Sequence, residues 1–157
     1  MTSDETQRGE KLTLEDLLKL PGLDQMQCMI DGRIDGPNIA RVLNFYLAEV
    51  GEGMARYEGR PKEDFLNPLG IVHGGWTATL LDSAMACAVH ATLAPGETYT
   101  TLEYKVNCVR PIQPDGRLML CTGNVIHRGR RSATSEGRLV DEEGKLYAHG
   151  VETCLIM

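Results

Sequence analysis

The longest nearly unbroken apolar run in the chain is WTATLLDSAMACAVHATL, residues 76–93. It is entered through His73-Gly74-Gly75 and left through Ala94-Pro95-Gly96, which predicts one long helix with a clean stop. The run is apolar around its whole circumference, so the rest of the core must wrap it. Its length invites a transmembrane reading. Asp82, His90, the threonines and the dominance of Ala over Leu argue against that reading. After the helix, residues 98–108 alternate: Leu102, Tyr104, Val106 and Cys108 fall on one face, and Thr101, Glu103, Lys105 and Asn107 on the other. That is the pattern of a half-buried strand. Three more strand-like runs follow at residues 117–127, 131–140 and 145–155, separated by turns at Arg128-Gly129 and Glu142-Glu143-Gly144.

Upstream of the helix the pattern is less regular. Residues 39–50, IARVLNFYLAEV, fit helix or strand; Val, Phe and Tyr favour strand, and Gly51-Glu52-Gly53 would turn it into a partner at residues 54–59. Thr13-Leu14-Glu15-Asp16 resembles a capping box and predicts a short helix that stops at Pro21-Gly22. Residues 23–35, with Met26, Cys28 and Met29, fit no single pattern, and Asp35-Gly36-Pro37-Asn38 is a turn cluster. Residues 1–12 read as a mobile polar tail without the apolar run of a signal peptide. The expected division is residues 1–36 as tail and short helix, and residues 37–157 as one domain. Two strands, one long helix and four strands in antiparallel succession make an α+β architecture, a sheet of about six strands wrapped around a central helix.

Composition narrows the function classes. A chain of 157 residues supports one core. With 42% hydrophobic and 24% charged residues it reads as an ordinary soluble protein, and a net charge of -6 argues against nucleic acid as its partner. Nothing else in it approaches spanning length, so no membrane partner is expected. Its five cysteines are odd in number and form no C-x-x-C pair, which points to a reduced, cytoplasmic protein rather than a disulfide framework or zinc site.

Asp82 is the residue this pattern leaves unexplained. A carboxylate in a core resists desolvation, and proteins rarely keep one for stability alone. The plain structural alternative is an Asp bonded to the start of a neighbouring element. His73-Gly74-Gly75 shifts the balance. The first amides of a helix are free donors in positive potential, and glycines let a ligand approach the backbone closely. A carboxylate base together with an amide oxyanion hole is a kit for hydrolysing an acyl group with activated water. Gly74 and Asp82 are eight residues apart, about 12 Å along a helix at ~1.5 Å per residue. A single helix would struggle to bring both to one carbonyl, whereas two antiparallel copies would place one subunit's Asp82 near the other's Gly74. The site is therefore expected to lie across a dimer interface.

The stretch NPLGIVHGGWTATLLDSAMACAV, residues 67–89, resembles the signature of the hotdog-fold acyl-CoA thioesterases, in particular the phenylacetate-degradation branch. The resemblance continues through APGETYTTLEYKVNCVRPI and, more weakly, to residue 153. It implies a hotdog fold and hydrolysis of an acyl-coenzyme A thioester, with no metal and no cofactor beyond the coenzyme A of the substrate. It implies Asp82 as the residue that activates water or attacks the thioester, Gly74 as the amide that polarises its carbonyl, and His73 as a positioning neighbour. Asn67 would orient water or substrate, and Thr101 would hold the nucleophilic water. It further implies a homodimer assembling to a homotetramer. Gly75, in the same loop, joins the expected coenzyme A contacts.

Arg128, Arg130 and Arg131 form the densest basic cluster in an acidic chain and suit coenzyme A phosphates, although a solvated turn is the commoner meaning of such a run. His90, His127 and His149 have no ligand spacing, and no H-E-x-x-H occurs, so metal catalysis is not expected. No serine stands in G-x-S-x-G. Cys87 lies on the apolar helix with nothing nearby in sequence to activate it. Met26, Met29 and Trp76 are candidate pocket-lining residues. Two alternatives keep the fold: an enoyl-thioester hydratase or dehydratase, and a non-enzymatic acyl-CoA sensor.

Overall fold

The computed structural model describes residues 11–157. Three short helices come first: α1 (Leu14–Leu18), α2 (Gly22–Ile30) and α3 (Asn38–Val42). A hairpin, β1 (Phe45–Gly51) and β2 (Met54–Gly59), is followed by a 3-10 turn at Glu63–Phe65 and the long helix α4 (Gly74–His90). Four strands complete the chain: β3 (Tyr99–Cys108), β4 (Met119–Arg128), β5 (Ser132–Asp141) and β6 (Leu146–Ile156). All six strands form one antiparallel sheet in the order β1-β2-β4-β5-β6-β3. This is the hotdog arrangement, a curved sheet wrapped around one central helix. The mobile tail expected at residues 1–12 lies largely outside the described residues.

The helix and sheet meet on bare backbone. Gly123, Gly137 and Gly150 are cross-strand partners on β4, β5 and β6, so they form a row across the sheet. α4 lies on this row. A Cβ on Gly123 would stand 2.2 Å from the Ala84 carbonyl oxygen, and one on Gly137 would stand 2.8 Å from Met85 Cγ. The Met85 side chain fills the space that the missing side chains leave. Leu80, Leu81, Ala84, Met85 and Ala88 are fully buried on this contact, as are Ala55, Tyr57, Met119, Cys121 and Leu139 of the sheet. At the entry end, Trp76 packs against Gly59 and donates its ring N–H to the Leu43 carbonyl at 2.8 Å. Among the described residues no helix is long and apolar enough to cross a membrane.

Three expectations change. Residues 39–50 are neither one helix nor one strand. Pro37 opens α3, and Asn44 takes a left-handed conformation at φ 57°, which ends it and starts β1. The undecided residues 23–35 contain α2, which buries Gln25, Met26 and Cys28. The third change is in β3. It is an edge strand, and its alternation is interrupted by a register shift between Thr101 and Glu103. The extra residue, Leu102, rephases the strand. Thr101 thereby turns toward α4 on the same side as Val106, instead of away from it, while Leu102 and Tyr104 are left 57% and 44% exposed.

The glycine row gives a direct test. Gly123→Ala is expected to lower unfolding stability by about 3 kcal/mol, because the clash is with helix backbone that cannot rotate away. Urea denaturation of the two proteins measures this.

Candidate active site

The chain reaches α4 through a loop that fixes its start. Asn67 Oδ1 accepts from the Leu69 amide at 2.9 Å and the Ile71 amide at 3.4 Å, closing the Asn67-Pro68-Leu69-Gly70 turn. The amide of Val72 donates to Ile112 and that of His73 to Phe65, which pins the loop on both sides. His73 is the N-cap. Its Nδ1 accepts from the Gly75 amide at 2.8 Å, which requires Nδ1 to carry no proton and leaves Nε2 as the outward group. Gly75 thus spends its amide on the cap. Gly74 is the first helical residue, exposed, with no carbonyl one turn before it to receive its N–H. Of the two loop glycines, Gly74 is the one with a donor to offer.

Two cavities open on this helix start. One of about 330 Å³ is lined by Asn67, Gly74, Thr77, Cys108 and Arg110. The other, about 480 Å³, lies on the opposite side against His73, Gly75, Trp76, Leu43 and Phe65. Arg110 is a cation that the sequence pattern did not single out; its guanidinium sits over the Tyr147 ring at 5.8 Å from the centroid. A third cavity of about 530 Å³ is lined by Met29, Ala40, Phe45, Leu47 and Tyr57. Of the expected pocket residues, Met29 lines that third cavity and Trp76 the second. Met26 is plain core.

Asp82 lies two turns into the helix and borders none of these three cavities. It is half-buried, and its carboxyl meets two groups from neighbouring strands. Thr101 Oγ1 lies 3.4 Å from Asp82 Oδ1 and 2.8 Å from Glu152 Oε1. Glu152, on β6, is 1% exposed. Its Oε1 also accepts from the Cys154 thiol at 3.2 Å, while its Oε2 has no partner. Burial raises the pKa of Asp82 from its ordinary value, against the pull of hydrogen bonds to Thr101 and Glu152. Burial pushes Glu152 up to about 7.

Glu152 was not singled out in the strand-like run at residues 145–155. Ala148, Gly150, Cys154 and Ile156 occupy one phase of β6, and Glu152 sits in the centre of that phase. The alternation alone places it inward.

The structure therefore joins Asp82 with Thr101, and Asn67 with Gly74, and keeps the two pairs apart along one chain. It also divides the arginine cluster. Arg128 is committed to Glu97 at 2.6 Å, so only Arg130 and Arg131 stand exposed and outside any ion pair among the described residues. Cys87 is hydrogen-bonded to the Tyr57 hydroxyl at 3.2 Å, and burial pushes its thiol up to about 11, which suits packing and not nucleophilic attack. Among the described residues no three of His, Cys, Asp and Glu stand together as a metal-binding group.

Comparisons with known proteins bear on the family and the fold. The family model of the thioesterase superfamily matches residues 69–148. Acyl-coenzyme A thioesterase 13 of Homo sapiens is 30% identical over 120 residues, covering 74% of this chain and 83% of the human one. A phenylacetic acid degradation-related protein from Ralstonia eutropha superposes with a TM-score of 0.75 at 30% identity, covering 83% of this chain and 98% of its own. A hypothetical thioesterase protein from Streptococcus pneumoniae, solved with coenzyme A, shares the fold at a TM-score of 0.66 and 20% identity, over 73% of this chain and 86% of that one.

The buried Glu152 has a consequence for stability. Its folded pKa is above its unfolded value, so its contribution is fully present below about pH 4.5 and is lost as pH rises through about 7. Glu152→Gln does not titrate. Its stability relative to wild type is expected to improve by about 2 kcal/mol between about pH 5 and about pH 8. Urea unfolding at the two pH values checks this.

Proposed function

From the premise that this chain belongs to the thioesterase superfamily and is a thioester hydrolase, we propose that its substrate is an acyl-coenzyme A and that its site is shared between two subunits. The observation that carries the reading is the half-buried Asp82 carboxyl, hydrogen-bonded to Thr101 on an exposed edge strand. Asp82 and Thr101 of one subunit hold a water. The Gly74 amide at the helix start of the other subunit receives the thioester carbonyl oxygen. Asp82 takes a proton from the water as oxygen attacks the carbonyl carbon. The tetrahedral oxyanion rests on the Gly74 amide; the carbon–sulfur bond then breaks, the proton held by Asp82 passes to the sulfur, and coenzyme A leaves as its thiol.

The second subunit is supported by distance and by exposure. Asp82 and Gly74 lie two turns apart on one helix, and the cavity at Gly74 excludes Asp82. β3 offers an unpaired edge with Leu102 outward and Tyr104 partly exposed, the kind of surface that pairs with a second copy. Asn67, fixed in its turn beside Gly74, orients the thioester, and His73 presents Nε2 at the mouth of the neighbouring cavity. Arg130 and Arg131 are the exposed cations that would meet coenzyme A phosphates, with Arg110 lining the Gly74 cavity. The free cysteines suit a reducing, cytoplasmic setting.

Asp82→Asn is expected to lower kcat for free-thiol release from acyl-CoA by at least about 100-fold with the fold retained. A panel of aromatic, short, medium and long acyl-CoAs measures this and identifies the acyl class. Two equally inactive proteins that still bind the esters would overturn the hydrolytic role of Asp82. An active monomer in gel filtration at assay concentration would overturn the shared site. Because Asp82 must be ionised to act and burial raises its pKa, activity should fall on acidification at a higher pH than for an ordinary aspartate.

A further inference from the structure

The carboxyl group nearest Asp82 is the one that the proposed hydrolysis does not use. Glu152 Oε1 lies 2.8 Å from the Thr101 hydroxyl, which itself lies 3.4 Å from Asp82 Oδ1. Three oxygens from three elements, α4, β3 and β6, thus meet, and the two carboxyl groups also act on each other directly. Thr101 carries one hydroxyl proton and cannot donate to both carboxyl groups. The titratable groups that act on Glu152 are Asp82 and Cys87 from α4, Tyr99 from β3 and Cys154 from its own strand, and its cross-strand partners are Tyr104 of β3 and Ser135 of β5. Tyr57 from β2 lies behind Cys87. None of these is a cation, and among the described residues no ion pair reaches either carboxyl. Two adjacent carboxylates without a counter-charge cannot both ionise readily.

We propose that Glu152 is a positioning residue of the active site, sharing one proton with Asp82 so that Thr101 is aimed at Asp82. The inference rests on the reading of Asp82 as the catalytic base. Burial decides which group holds the proton. Glu152 is 1% exposed and Asp82 is half-buried, so the charge settles on Asp82, the partner nearer solvent. A neutral Glu152 donates to Thr101 Oγ1, and Thr101 donates onward to the Asp82 carboxylate. This chain of two hydrogen bonds fixes the carboxylate that orients water. When Glu152 ionises, the Thr101 proton turns to the nearer Glu152 oxygen, and Asp82 loses its donor. Glu152 Oε2 and Ser135 Oγ, cross-strand neighbours, are both buried without a partner. No hydrogen bond reaches Oε2 to hold an anion there, which again favours the neutral acid.

The test compares wild type, Glu152→Gln, Glu152→Leu and Asp82→Asn on the preferred acyl-CoA, with kcat and KM followed between about pH 5 and about pH 9. Wild-type kcat is expected to fall about fivefold or more as pH rises through about 7. Glu152→Gln keeps a neutral donor, so its kcat should stay within about threefold of wild type at about pH 6 and the fall should vanish. Glu152→Leu should lower kcat more than about tenfold with KM moved less than about threefold, while circular dichroism shows the fold intact. A Glu152→Gln profile that keeps the wild-type fall overturns the proposal, as does a Glu152→Leu protein with wild-type kcat and profile. Infrared difference spectra between wild type and Glu152→Gln at about pH 6 read the proton without any assay. A protonated-carboxyl band that disappears as pH rises supports the shared proton; absence of the band overturns it. If wild type and Asp82→Asn are both inactive on every acyl-CoA, the hydrolytic reading fails, and the positioning role fails with it even where the band is seen.

Discussion

The seating of α4 on the glycine row of the sheet is the contact on which the rest of the molecule depends. At Gly123 and Gly137 the helix approaches closer than any side chain on the sheet would allow. The close approach lets a six-stranded sheet wrap a helix that is apolar almost all round. It also sets the rotation of the helix about its axis. Met85 sits over Gly137 and reaches Gly150, so Asp82, one turn earlier, falls on the side of β6 and β3. There the cover of the sheet thins toward its edge, and a carboxyl can be half-buried rather than sealed. Packing thus chooses where the one carboxylate of the helix lies and which side chains meet it.

Much of this was legible in the pattern of residues. The apolar run marked the helix, alternation and turns marked the strands, and a lone carboxylate in an apolar run marked the residue on which the proposed site is built. What was not legible is informative. Asn44 in a left-handed conformation splits an otherwise continuous apolar segment into α3 and β1, and a single residue carries no such sign in composition. The bulge at Leu102 is equally silent: strict alternation turns Thr101 away from the helix, and only pairing with β6 shows that it turns inward. Glu152 is different. Its position among Ala148, Gly150, Cys154 and Ile156 placed it on the inner face, but that phase shows only once the strand limits are known within a residue.

The same bulge links the two halves of the proposed mechanism. By inserting Leu102 it rotates Thr101 inward to Asp82 and leaves Leu102 outward on an unpaired edge. A local irregularity of one residue would therefore complete the proton-handling side of the proposed site and leave apolar surface that a second copy would cover. The helix supplies the complementary reason. Its free amide is at its first residue and its carboxylate is two turns further along, so one copy holds a donor and a base that face different spaces. An antiparallel neighbour is the simplest arrangement that brings such groups to one carbonyl. A buried Glu152 fits this division, because a half-site whose carboxyl pair already carries one shared proton can present a single oriented anion before the substrate arrives. The charge that does chemistry is then left on the member of the pair nearest the edge where the second subunit and its ligand would come together.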